Sequence, residues 1–262
     1  CVFKYSDFIF ENINILSENF GGSGELLEPW NLLLPVGISF YTFQSISYLM
    51  DVYRREIQAE RSFANFGAYL TMFPQLIAGP IVKYREIKEE MIRRKSSFAQ
   101  FDEGLRIFTL GLGMKVLLAN RIGSLWSDIQ AVGFESISTP VAWMGIFAFS
   151  FQLYFDFYGY SMMAIGLGRI MGFTIPQNFD HPYQSLSMTE FWRRWHMTLG
   201  SWFREYVYIP LGGNRRSAPR VYFNLFVVWL LTGFWHGAGW NFILWGVVLF
   251  IIIAIEKAGL KR

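Results

Sequence analysis

Apolar runs of bilayer length recur along this chain, separated by short clusters of charge. A helix needs roughly 17–25 such residues to cross hydrocarbon, and the pattern predicts spans at Leu32–Met50, Leu105–Ile122, Val141–Tyr158, Val221–Trp235 and Trp240–Ile255. A sixth run, Phe63–Val82, contains Pro74, Gly79 and Pro80. Proline removes a backbone donor and bends a helix where every peptide group must find its partner internally. Arg54, Arg55 and Arg61 precede this run, and Lys83, Arg85, Lys88, Arg93, Arg94 and Lys95 follow it. Cytoplasmic loops carry the excess of Lys and Arg, so both flanks are placed in the cytoplasm and the run is predicted to re-enter rather than cross. The loop Ser127–Pro140 holds Asp128 and Glu135 but no Lys or Arg, which places it outside; Arg204, Arg215, Arg216 and Arg220 bring the chain back. Lys257, Lys261 and Arg262 are expected to close the last helix on the cytoplasmic face, and the charged segment 84–100 reads as a solvated helix or loop.

Residues 191–216, FWRRWHMTLGSWFREYVYIPLGGNRR, are too charged to span and too aromatic to stay in water. They predict an interfacial or partly inserted helix. At helical spacing Trp192, His196, Leu199 and Phe203 share one face, while Arg194, Thr198, Ser201 and Glu205 share another.

Composition agrees with this patterning: 53% hydrophobic, 19% aromatic and 16% charged residues belong to a polytopic membrane protein. A net charge of +3 whose basic residues cluster in a few loops gives no sign of a nucleic-acid partner. Cys1 is the only cysteine, which leaves no disulfide, thiolate metal cluster or internal acyl-cysteine. The chain opens inside an apolar run with no charged leader and cleavage site. It reads as a fragment: residues 1–262 as a single membrane-embedded domain truncated at both ends, all-α, a polytopic membrane helix bundle with re-entrant and interfacial helices.

Three histidines, His181, His196 and His236, bound the candidates for base chemistry. His236 lies in LLTGFWHGAGWNFILWG (230–246), and an ionisable side chain within a membrane segment is a functional-site hypothesis, with a packing hydrogen bond as the bland alternative. His196 falls on the apolar face of its helix, which by itself favours packing. Asp156, in QLYFDFYGY (152–160), would be costly if unpaired, so a structural partner stands beside a direct role.

Four stretches, LPVGISFYTFQSISYLMDVYR (34–54), FPQLIAGPIVKYREI (73–87), FWRRWHMTLGSWFREYVYIPLGGNRR and TGFWHGAGWNFILWG (232–246), together resemble the membrane-bound O-acyltransferase family, in its bacterial alginate O-acetyltransferase-like branch. The resemblance covers nearly the whole chain in order. It implies a many-helix enzyme of the bacterial inner membrane that moves an acyl group from a cytoplasmic thioester to a hydroxyl presented from the other side. The family's signature histidine matches His236. A second family histidine matches His196, which turns that residue from packing to catalysis, while His181 is left structural. One departure stands out: relatives commonly read Cys-Asp-Phe-Ser-Gly-Tyr-Ser-Asp where this chain has Phe155-Asp156-Phe157-Tyr158-Gly159-Tyr160-Ser161-Met162, without the second carboxylate.

The implied chemistry needs a base, and an imidazole with a pKa of about 6.5 is mostly neutral at physiological pH. General-base catalysis supplies about 10²–10⁴-fold; the rest must come from alignment and charge stabilisation. Thr232 and Asn241 are candidate oxyanion donors beside Gly233, Gly237 and Gly239. Arg193, Arg194 and Arg204 are candidates to receive an anionic donor or lipid phosphates. No permanently bound cofactor or metal is implied; acetyl-CoA or an acyl-carrier thioester is the expected donor, transferring directly in a ternary complex, with an acyl-histidine or acyl-serine step as the alternative. Expected partners are membrane lipid, a polysaccharide acceptor such as alginate, and periplasmic acetyltransferases or an acyl carrier protein. The alternatives are D-alanyl transfer to teichoic acid and, from another class, a transporter with a His/Asp proton relay, which the lack of paired broken repeats disfavours.

Overall fold

The computed structural model describes residues 2–22, 26–76, 79–133 and 135–259. Among these the chain is helical with no strand, as a lipid solvent demands of a backbone that must satisfy its own peptide groups. The helices are α1 (Val2–Asn19), α2 (Ile38–Tyr53), α3 (Phe63–Leu70), α4 (Phe73–Leu76), α5 (Tyr84–Arg93), α6 (Phe98–Gly113), α7 (Asn120–Val132), α8 (Thr139–Ile170), α9 (Met188–Arg194), α10 (Met197–Phe203), α11 (Ala218–His236) and α12 (Trp240–Gly259). A π-helical segment, Met114–Ala119, joins α6 to α7, and another, Arg204–Tyr208, follows α10. Cys1, Lys261 and Arg262 lie outside the described residues.

Every expected span is helical in its main part, with displaced ends. α2 starts at Ile38 rather than Leu32, because Pro35 has no amide to donate and Gly37 turns the backbone at φ 75°. Among the described residues one helix, α12, is by itself both long and apolar enough to cross a membrane. The run Phe63–Val82 is broken as its prolines required: α3 and α4 are too short to cross. Residues 191–216 depart from the single interfacial helix expected of them. The helix stops at Arg194 and restarts at Met197, and His196 adopts a left-handed φ of 46°. The face that periodicity assigned to Trp192, His196, Leu199 and Phe203 is therefore not continuous. The segment 84–100 is also less solvated than expected, since α5 buries Tyr84 and Ile87.

By its internal contacts the chain forms two compact units, Cys1–Ser39 with Ser185–Phe191 and Ser201–Arg262, and Phe40–Gln184 with Trp192–Gly200. The second unit is organised by one seam and one aromatic core. In the seam, Gly104 faces Gly166 and Gly111 faces Gly159. A Cβ on Gly104 would stand 2.7 Å from the Gly166 carbonyl, and one on Gly111 would stand 2.5 Å from that of Gly159. The two contacts are seven residues apart on each helix, so antiparallel α6 and α8 meet backbone to backbone twice in two turns; small residues permit such approach in membranes. The core packs Tyr48, Tyr69, Val82, Tyr84, Ile87 and Ile175. Tyr69 Oη donates to the Val82 carbonyl at 2.8 Å, and Tyr84 Oη donates to Glu60.

In the first unit α1 seals the end of α11. Tyr5 Oη donates to the Phe234 carbonyl at 2.9 Å, its ring stacks on Phe234 at 4.0 Å, and Lys4 Nζ donates to the Trp235 carbonyl. These carbonyls belong to a helix's last turn, which has no internal donors. At the other end of α12, Glu256 accepts from the Met188 and Thr189 amides at 2.6 and 2.9 Å, a carboxylate at the start of α9.

Candidate active site

His196 and His236 fall in different units. His196 is 4% exposed and sits at the break between α9 and α10. Its Nδ1 is 3.1 Å from Asn178 Oδ1, and the same oxygen lies 3.3 Å from the Thr198 amide and 2.9 Å from Thr198 Oγ1. A backbone amide can only donate, so the Asn178 atom it meets must be the carbonyl oxygen. It follows that His196 Nδ1 carries its proton and that Nε2 holds the lone pair in the neutral ring. Asn178 Nδ2 donates to Ser161 Oγ at 3.2 Å, and the Asn178 carbonyl accepts from the Met197 amide at 2.9 Å. Thr198 Oγ1 in turn accepts from the Ile81 amide at 2.9 Å. Phe157 meets the imidazole edge to face, with centroids 4.8 Å apart.

Asn178 was not among the residues that periodicity singled out. In NFDHPY it reads as a turn former, and its role depends on partners 17 to 20 positions away in sequence. Lys115 was missed as well. It is the single charge between Arg106 and Arg121, which was the available signal, and its Nζ pairs with Asp156 Oδ1 at 2.5 Å. Asp156 thus has a structural partner, a lysine on the π-helical segment.

His236 is the last residue of α11. Its ring stands edge to face with Trp235 and Trp245, at centroid distances of 4.7 and 4.8 Å. Among the described residues neither of its ring nitrogens is hydrogen-bonded. As a residue His236 is exposed within this chain, and the backbone leaves the helix directly after it, with Gly237 extended at φ −169°. Of the two expected oxyanion donors, Thr232 is committed elsewhere: its hydroxyl donates to the Val228 carbonyl of its own helix at 2.8 Å, as threonines inside membrane helices commonly do. Asn241 is exposed. His181, also at a left-handed φ of 46°, lies on the surface beside Asp180 Oδ1 at 3.1 Å. Of the arginines, Arg193 and Arg204 are exposed, whereas Arg194 and Asp180 pair through backbone at 2.9 Å.

Residues 54–261 match the pattern of the membrane-bound O-acyltransferase family. The chain is 44% identical over 256 residues to a probable alginate O-acetylase of Pseudomonas aeruginosa, covering 98% of this chain and 48% of that protein. It is 39% identical over 283 residues to a peptidoglycan O-acetyltransferase of Helicobacter pylori, covering 98% and 52%. It is 30% identical over 247 residues to a teichoic acid D-alanyltransferase of Streptococcus thermophilus, covering 88% and 59%. The chain therefore spans about half the length of the first two of these relatives.

Proposed function

The chain belongs to the membrane-bound O-acyltransferase family, and from that premise we propose that it forms part of a multi-pass enzyme of the bacterial inner membrane. The enzyme moves an acetyl group from a cytoplasmic thioester, acetyl-CoA or an acyl carrier, to a hydroxyl of an exported polysaccharide such as alginate. His236 is the general base. The observation that carries this role is a ring held between two indoles with neither nitrogen hydrogen-bonded among the described residues. As the acceptor oxygen attacks the thioester carbonyl, its proton passes to His236. The tetrahedral oxyanion then collapses, the carbon–sulfur bond breaks, and the departing thiolate recovers that proton from the imidazolium.

His196 shares proton handling or orients the thioester, and Asn178 fixes its tautomer so that Nε2 is the acceptor. A D-alanyl donor would use the same proton transfers, and the similarity to the D-alanyltransferase keeps that acyl group in the comparison. In proteoliposomes of the full-length protein, His236→Ala should lower acetyl transfer by about 10²–10⁴-fold while detergent-solubilised protein keeps its wild-type melting temperature. Unchanged turnover would remove His236 as base, and a preference for D-alanyl thioester would reassign the acyl group.

A further inference from the structure

Positive charge gathers around a cavity whose lining includes Arg204, a sequence candidate for an anionic donor or lipid phosphate. This half-open cavity of about 510 Å³ is lined by Arg204 and Tyr208 of the π-helical segment and, in the loop after it, by Gly212, Asn214, Arg215 and Arg216 among others. All three arginines are exposed. Among the described residues no carboxylate comes within ion-pair distance of any of them.

The loop is built rather than slack. Gly212 turns it at φ 109°, and a Cβ there would stand 2.6 Å from Arg216 Cγ and 2.7 Å from Arg216 Nε, so the missing side chain makes room for the guanidinium stem. Asn224, 0% exposed on α11, donates from Nδ2 to the Gly213 carbonyl at 3.3 Å and ties the loop down. Asn214 Oδ1 accepts from Tyr208 Oη at 2.8 Å and from Lys257 Nζ at 2.9 Å, which sets a fourth cation beside the loop. Burial pushes the Tyr208 phenol up from its ordinary range, so it remains a neutral donor.

Guanidinium groups are weakly hydrated planar forks that match phosphate oxygens two at a time. Three of them around a concavity without acid are arranged for a multiply charged oxyanion. We propose that this cavity binds a phosphate ester, either the phosphorylated nucleotide end of a thioester donor or the phosphate of an anionic lipid headgroup. Only the first source rests on the acyl-transfer reading; the phosphate chemistry does not.

The test uses full-length protein with two probes: adenosine 3′,5′-bisphosphate titrated in non-ionic detergent, and phosphatidylglycerol retained through delipidation and counted by native mass spectrometry. Arg215→Ala/Arg216→Ala is compared with Arg220→Ala, whose guanidinium lies over Phe223 instead. A nucleotide site raises the bisphosphate dissociation constant by about tenfold or more in the double variant alone. A lipid site leaves the bisphosphate unbound and loses phosphatidylglycerol in the double variant alone. If neither probe distinguishes the double variant from wild type, the proposal is overturned. Neither readout involves acyl transfer, so His236→Ala can abolish or spare activity without deciding this result.

Discussion

Asn178 serves four groups at once: the His196 ring, the Thr198 amide and hydroxyl, and the Ser161 hydroxyl. Replacing its amide by a carboxylate keeps the acceptor oxygen and adds a negative charge facing the imidazole, which favours the imidazolium. In Asn178→Asp the acid limb of the acetyl-transfer pH profile should therefore move to higher pH by at least about one unit. A profile that keeps its midpoint while activity falls would mean that His196 takes no part in proton handling. His196 and His236 were legible because family motifs surround them. Asn178 was not, because an asparagine before an aromatic and an aspartate carries no periodic signal, and only the folded backbone brings it to the break between α9 and α10. That break was itself invisible: a left-handed residue is expected at glycine or asparagine, and here histidine takes the position.

Apolar runs located α11, α12 and the start of α8 within a few residues, since long hydrophobic runs have few ways to satisfy their backbone in lipid; α8 continues to Ile170, twelve residues past the expected end. It could not show how those helices meet. The α6–α8 seam depends on glycines recurring at seven-residue spacing on both helices, a pattern that acquires meaning only when the two sequences are laid antiparallel. Gly111→Leu must push the Gly159 carbonyl away, and overpacking of this kind costs about 1–3 kcal/mol. The expected outcome is a melting temperature several degrees lower in detergent, whereas Gly113→Leu, with open space where its Cβ would be, should leave it unchanged. Equal melting behaviour of the two variants would show that the seam does not hold the helices together.

Across the molecule, the family and the all-helical fold were legible in motif and composition, while the division into two units was not, since it arises from contacts between distant segments. One consequence for stability follows from the aromatic core of the second unit. Burial first, then the hydrogen bond to the Glu60 carboxylate, raise the Tyr84 phenol above its ordinary value of 10.0. A group raised in the folded state contributes stability that is complete below pH 10.0 and declines as the pH climbs through the folded value. Melting temperature should accordingly fall more steeply above about pH 10 in wild type than in Tyr84→Phe; parallel curves would remove this ionisation from the account. A different dependence comes from Glu256. The helix whose hydrophobic length best matches a bilayer ends in the carboxylate that grips the first amides of α9. Since a span answers a thicker or thinner membrane by tilting, any tilt of α12 reaches the start of α9 through these two hydrogen bonds.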